Sequence, residues 1–103
     1  MLPLSWGHVH LDITEEVARL ARSYGIQVTK AFRFRASPDL QNPELGYILS
    51  PDFTRHGEAE GVVGFEAKDV TILHEVLHIQ HPDWDEYTVE VTAQVLYLAG
   101  RVW

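Results

Sequence analysis

The stretch Val70-Thr71-Ile72-Leu73-His74-Glu75-Val76-Leu77-His78-Ile79-Gln80-His81-Pro82 decides how this chain of 103 residues is read. From about Ala67 the apolar positions Val70, Leu73, Val76, Leu77 and Ile79 give a largely buried helix. Pro82 ends it, because the residue before a proline avoids the α region. His74 and His78 are four apart, so a helix sets their imidazoles one turn from each other on one face. Two imidazoles so placed can both reach one zinc ion at about 2.0–2.1 Å. Glu75 is rotated by roughly 100° from His74, which lets it flank the ion, take a proton from the ion's water and pass it to a leaving amine. Two unpartnered histidines inside so apolar a helix would be costly to bury. The expectation is a metal centre on His74 and His78 with Glu75 as the catalytic base.

A catalytic zinc takes three protein ligands and keeps one position for water. His81, Glu86 and Glu90 are the candidates for the third. His81 lies about 10.5 Å further along the axis than His74, too far for one ion on an unbroken helix, and is better read as a C-terminal cap or as a residue of the cleft rim. Glu86 and Glu90 share a face of the next helix with Ala93 and Tyr97. Glu86 sits in the first turn, where the helix dipole alone stabilises a carboxylate. Glu90, one turn in between Val89 and Val91, is less easily explained by solvation, so the expected ligand set is His74, His78 and Glu90.

The rest of the chain surrounds these two helices. Residues 13–24 read as a first helix, with Ile13, Val17, Leu20, Ala21 and Tyr24 at helical spacing, Asp12 and Glu15 as a capping box, and Gly25 as the C-cap. Three strand candidates follow: Ile26–Phe34, rich in β-branched and aromatic residues, then Leu45–Leu49, then Val62–Glu66. Turn-rich loops at Pro38–Pro43 and Ser50–Asp52 separate them. Asp83 or Asp85 can cap the last helix, which runs to about Ala99 with Tyr87, Val91, Val95 and Leu98 on one face. The predicted fold is a single α+β domain: an N-terminal helix, a small three-stranded sheet, a histidine helix and a glutamate helix.

Composition narrows the partners. Fifteen acidic and eight basic side chains leave a formal charge of −7, which argues against nucleic acid and anionic membranes, both of which need clustered Lys and Arg. No apolar run approaches the roughly 20 residues of a membrane span, and Met1–His8 has no basic and apolar leader pattern. With no cysteine, thiolate metal sites are excluded and a cytoplasmic setting fits. A His-x-x-x-His-x(5)-His ribonuclease motif would need a histidine at position 84, which is Trp84.

His74-Glu75-x-x-His78 followed by a helix with Glu90-Val91-Thr92-Ala93-Gln94 resembles the gluzincin metallopeptidases. It looks most like the catalytic cores of CAAX-processing and heat-shock membrane peptidases and their stand-alone minimal versions, the minigluzincins. The resemblance covers roughly Val62 to Ala99. In those families a ligand glutamate is followed by x-x-Ala-Asp, and the aspartate commonly orients one zinc histidine. Ala93 matches that pattern and Gln94 departs from it. The resemblance implies a zincin-like fold, one Zn2+ per chain and hydrolysis of a peptide or protein substrate. It also implies an edge strand at Gly61, Val62, Val63, Gly64, Phe65 and Glu66 that pairs with extended substrate. Minimal relatives can be latent with a terminal segment in the cleft, for which Trp103 is the candidate plug. The alternative is a zinc-bearing regulatory or interaction module with little or no peptidase activity. Tyr87, Tyr97, His56 and His81 are the candidates for steadying an oxyanion; His8 and His10 are given no role.

Overall fold

A computed structural model describes residues 10–100. The elements run β1 (Leu11–Asp12), α1 (Thr14–Ser23), β2 (Phe32–Ser37), β3 (Gly46–Leu49), a 3-10 turn (Pro51–Phe53), β4 (Ala59–Gly64), α2 (Asp69–Gln80) and α3 (Glu86–Gly100). The fold is α+β, as expected, with four strands in place of three, in the order β1-β2-β4-β3. β2 and β4 are parallel, while β1 and β3 run antiparallel to their neighbours. Trp103, the candidate plug, and His8 lie outside the described residues.

Strand alternation divides the sheet's faces. Phe32, Phe34, Val63 and the partly buried Ala59 and Ile48 point to one side, where they join Val17 and Ala21 of α1 and Leu73, Val76 and Leu77 of α2 in one core. α1 packs on β2, α2 on β3 and β4, and α3 on the outer side of α2. The opposite face carries the Arg35–Glu60 ion pair, 3.2 Å apart across the paired strands β2 and β4. α2 is thus enclosed between sheet and α3, with Leu73 and Val76 completely shielded from solvent. Such burial contributes roughly 1.5–3 kcal/mol for each large apolar side chain.

The helix ends follow from local chemistry. Gly25, at φ +89°, ends α1. Its N–H donates to Arg22 O and that of Ile26 to Ala21 O, the bond pattern of a Schellman cap, while Ile26 is buried in the core. The expected capping box at the start of α1 is replaced by a tighter contact, in which Asp12 Oδ1 accepts from Thr14 N–H at 2.9 Å. At α3 the cap is Asp85, whose Oδ1 accepts from Thr88 N–H at 2.7 Å. The hydrogen bonds from Thr88 hold the Asp85 carboxyl below its ordinary range.

Two strand boundaries and one helix face depart from the sequence reading. β2 begins at Phe32, so Ile26–Lys30 is not strand. The backbone there is claimed by Gln80, a buried side chain at the end of α2. Its Oε1 accepts from Thr29 N–H at 2.9 Å and Lys30 N–H at 2.8 Å, and its Nε2 donates to Lys30 O at 2.8 Å. β4 starts at Ala59 and ends at Gly64, leaving Phe65 and Glu66 in a turn. Finally, the α3 face bearing Tyr87, Val91, Val95 and Leu98 is exposed, and the helix buries Val89 and Ala93 instead.

Gln80→Ala removes three hydrogen bonds to the partly buried backbone of Thr29 and Lys30. The expected loss is about 1–2 kcal/mol, at the scale of a few net hydrogen bonds, because water can replace part of what is lost. Thermal or urea unfolding checks it; a change under half a kcal/mol or so would remove the clasp from the fold's supports.

Candidate metal centre

The groove between α2 and α3 gathers His74 and His78 of one helix and Glu86 and Glu90 of the other. Antiparallel packing across the short Pro82–Asp85 turn puts the C-terminal half of α2 beside the first turns of α3. His74 Nε2 lies 2.7 Å from Glu86 Oε1, His78 Nε2 lies 3.0 Å from Glu86 Oε2, and the two Nε2 atoms are 3.1 Å apart. His74, His78 and Glu86 together could hold a metal ion. A tetrahedral ion with bonds of 2.0–2.1 Å keeps its donors about 3.3 Å apart, a few tenths of an ångström wider than these spacings.

Of the two glutamates, it is Glu86 and not the expected Glu90 that lies with both inner nitrogens. Glu90 does not face the gap between the histidines; its Oε2 lies 2.8 Å from His74 Nδ1, on the other side of that ring. The physical reason is the start of α3. Capped at Asp85, the helix brings its first turn level with His78 and His74, so Glu86 meets both inner nitrogens and Glu90, one turn on, meets the back of His74.

This arrangement constrains the charge at its centre. An ionised carboxylate can only accept hydrogen bonds, so the Nδ1 of His74 facing Glu90 carries the N–H. In a neutral ring that leaves Nε2 with its lone pair, aimed at another carboxylate oxygen 2.7 Å away and at a second imidazole nitrogen. With His78 in the same tautomer, three electron-rich atoms at such spacing repel unless a proton or a metal cation lies among them. A divalent cation satisfies all three at once, and the Glu90 contact is the outer hydrogen bond that ligating histidines ordinarily make.

Glu75 is the buried member of the site, with 8% of its surface exposed. Burial raises the proton affinity of its carboxyl; the nearby His74 and His78 oppose that rise, and Glu86 adds to it. Its side chain lies against the start of β3, where a Cβ on Gly46 would fall 3.1 Å from Glu75 Cγ and 3.0 Å from Val63 Cγ1. Gly46 thus lets the edge strand approach the helix. The loop before β3 is fastened to the first turn of α2, as Pro43 O accepts from Lys68 N–H at 3.1 Å and from Thr71 Oγ1 at 3.0 Å.

A cleft of about 770 Å³ opens from His74 between the two helices and the start of β3. Beyond His74, Glu75, Glu86 and Glu90 it is lined by Val70, Thr71, Gln94 and Tyr97, with Glu44, Leu45, Gly46 and Lys68 at its rim. Tyr97 is the one oxyanion candidate on the cleft wall, and it sits about 10.5 Å along α3 from Glu90, which suits a distant wall and not the centre. Tyr87 points to solvent. His81 caps α2, its N–H donating to Leu77 O at 2.8 Å, and its ring stacks on Trp84 with centroids 3.8 Å apart, which takes it away from the centre.

The expected substrate strand is also displaced. Gly61, Val62, Val63 and Gly64 belong to β4, which is bonded to β2 on one side and β3 on the other, so its backbone has no free edge; Phe65 and Glu66 follow in the turn. The free edge nearest the cleft belongs to β3. Comparison of the chain with family models, curated proteins and solved structures returns no match. No helix among the described residues is long and apolar enough to cross a membrane.

Glu86 and Glu90 should separate in a metal titration. If an ion sits among His74, His78 and Glu86, Glu86→Ala should abolish binding of one metal per chain, whereas Glu90→Ala should keep that stoichiometry with affinity lowered about 10–100-fold. The opposite ranking, read by competition with a chromophoric chelator, would exchange their roles. Asp85→Ala loosens the turn that carries Glu86, so it should speed amide exchange at the start of α3 and weaken zinc binding. The Asp85 contribution is full above the ordinary aspartate range and is lost as pH falls through its lowered value.

Proposed function

We propose that the protein is a zinc-dependent metallopeptidase in which His74, His78 and Glu86 hold the ion, Glu90 orients His74 and Glu75 is the general base. The observation that carries this reading is the convergence of His74 Nε2, His78 Nε2 and the Glu86 carboxylate on one point beside a buried glutamate at the head of a cleft. The resemblance to gluzincins is served better with its second motif read one turn earlier. Counted from Glu86, the acid four residues on is Glu90, and it meets a histidine as the family's aspartate commonly does. Gln94 then has no part in that pattern; its Nε2 donates to Glu90 Oε1 at 3.3 Å.

A zinc ion held there supplies Lewis acidity and brings the acidity of water close to neutrality. The chain's own residues do the rest. Glu75, kept from bulk solvent, accepts the proton of the attacking water on its carboxylate and delivers it to the departing amine. His74 is fixed by Glu90 in the tautomer that keeps its Nε2 lone pair inward. An extended peptide fits along the free edge of β3, where backbone pairing aligns it beside Glu75 whatever its sequence. Zinc in preference to a harder cation follows from a donor set of two imidazoles and one carboxylate.

Purified protein should carry about one zinc per chain and cleave an unbiased peptide library. Glu75→Gln should retain the metal and lose at least about a hundredfold in kcat/KM, the scale of general-base assistance. A wild-type chain loaded with zinc but inert toward every peptide at high enzyme concentration would turn the reading to a zinc-bearing interaction module. A chain that takes up no zinc would remove both.

A further inference from the structure

α3 carries apolar side chains on two opposite sides. Val89 and Ala93 are completely buried against α2, and Leu96 packs beside them. About half a turn around the helix, Tyr87, Val91, Val95 and Leu98 form a second stripe within an arc of about 80°. These four are 76%, 41%, 58% and 58% exposed. Both acidic residues of the helix, Glu86 and Glu90, are committed to His74 and His78 on the flank between the two faces. From Val91 to Gly100 no charged residue occurs. A surface helix ordinarily turns charges outward, and one that is apolar on all sides is buried.

We propose that this outer face of α3 is the interface of a two-fold dimer, occupied by the same face of a second copy of the chain. The stripe is self-complementary about its own middle. With two α3 helices antiparallel and the axis near Thr92 and Ala93, Tyr87 meets Leu98 and Val91 meets Val95 in both halves, as an isologous contact requires. The four side chains expose about 450 Å² per copy, so pairing removes about 900 Å² before flanking contacts, close to the roughly 1,000 Å² a specific interface needs. The stripe itself is uncharged, so a chain of net charge −7 brings no like charges together in the seam. The cleft opens on the flank of α3 that holds Glu86 and Glu90, so the metal centre and the dimer seam use different sides of one helix.

The test is the solution mass of the zinc-loaded full chain by light scattering and equilibrium sedimentation over a wide dilution range. The wild type should give about twice its 11.8 kDa at high concentration and dissociate on dilution. Tyr87→Glu and Val95→Glu, each at a solvent-facing position, should raise the dimer dissociation constant about tenfold or more while keeping the helical signal and one zinc per chain. Phe53→Glu, at another exposed apolar residue far from α3 in sequence, should leave the mass unchanged. A wild type that stays monomeric at every concentration overturns the proposal. So does a dimer that survives both α3 substitutions, or one that Phe53→Glu alone dissolves.

Discussion

The enclosure of α2 governs everything this molecule can do. The sheet covers it on one side and α3 on the other, so Leu73, Val76, Leu77 and Ile79 are all withdrawn from water. Polar side chains on such a helix survive only where a partner meets them. Gln80 meets the backbone of Thr29 and Lys30, and Thr71 meets Pro43 O. His74 and His78 meet Glu86 and Glu90. Glu75 is buried on the cleft wall, where its surroundings raise its proton affinity. The groove chemistry is thus a consequence of packing: the polar residues of a buried helix are gathered on the strip that neither sheet nor core claims.

Much of this was legible in the sequence. Helical periodicity placed α1, α2 and α3 within a residue or two of their observed ends, because Gly25, Pro82 and Asp85 act locally on the backbone. The pairing of His74 with His78 was legible for the same reason, since spacing on one helix fixes it. What depended on distant partners was not. Ile26–Lys30 has the composition of a strand, yet a side chain some fifty residues away takes its hydrogen bonds. β1, two residues long, leaves no pattern to find. Nothing in the chain order tells that β4 inserts between β2 and β3, so a strand expected at the edge is central.

The relation of Glu86 and Glu90 to the histidines shows where periodicity stops. The two are one turn apart on one face, so periodicity treats them alike, and only the depth at which α3 starts beside α2 separates them. That depth is set by the turn between Pro82 and Asp85 and by the stacking of His81 on Trp84. The outer face of α3 misled for a related reason. A helix with two apolar sides offers the stronger side chains, Tyr87, Val91, Val95 and Leu98, as the obvious core, while the packed side is built of smaller Val89 and Ala93. Small residues there allow α3 to lie close enough to α2 for its carboxylates to reach the imidazoles.

The order of the strands has a bearing on how the molecule assembles. β2 and β4 are parallel neighbours with β3 lying between them in sequence and outside them in space, so Phe32 must find Ala59 across a long loop. Closing such a loop is slow relative to joining two helices through a short turn. The side chains from His74 to Glu90 all belong to that helical pair. A cation captured by the hairpin would therefore fasten α2 to α3 while the sheet is still searching for its register, acting as an early scaffold for the chain.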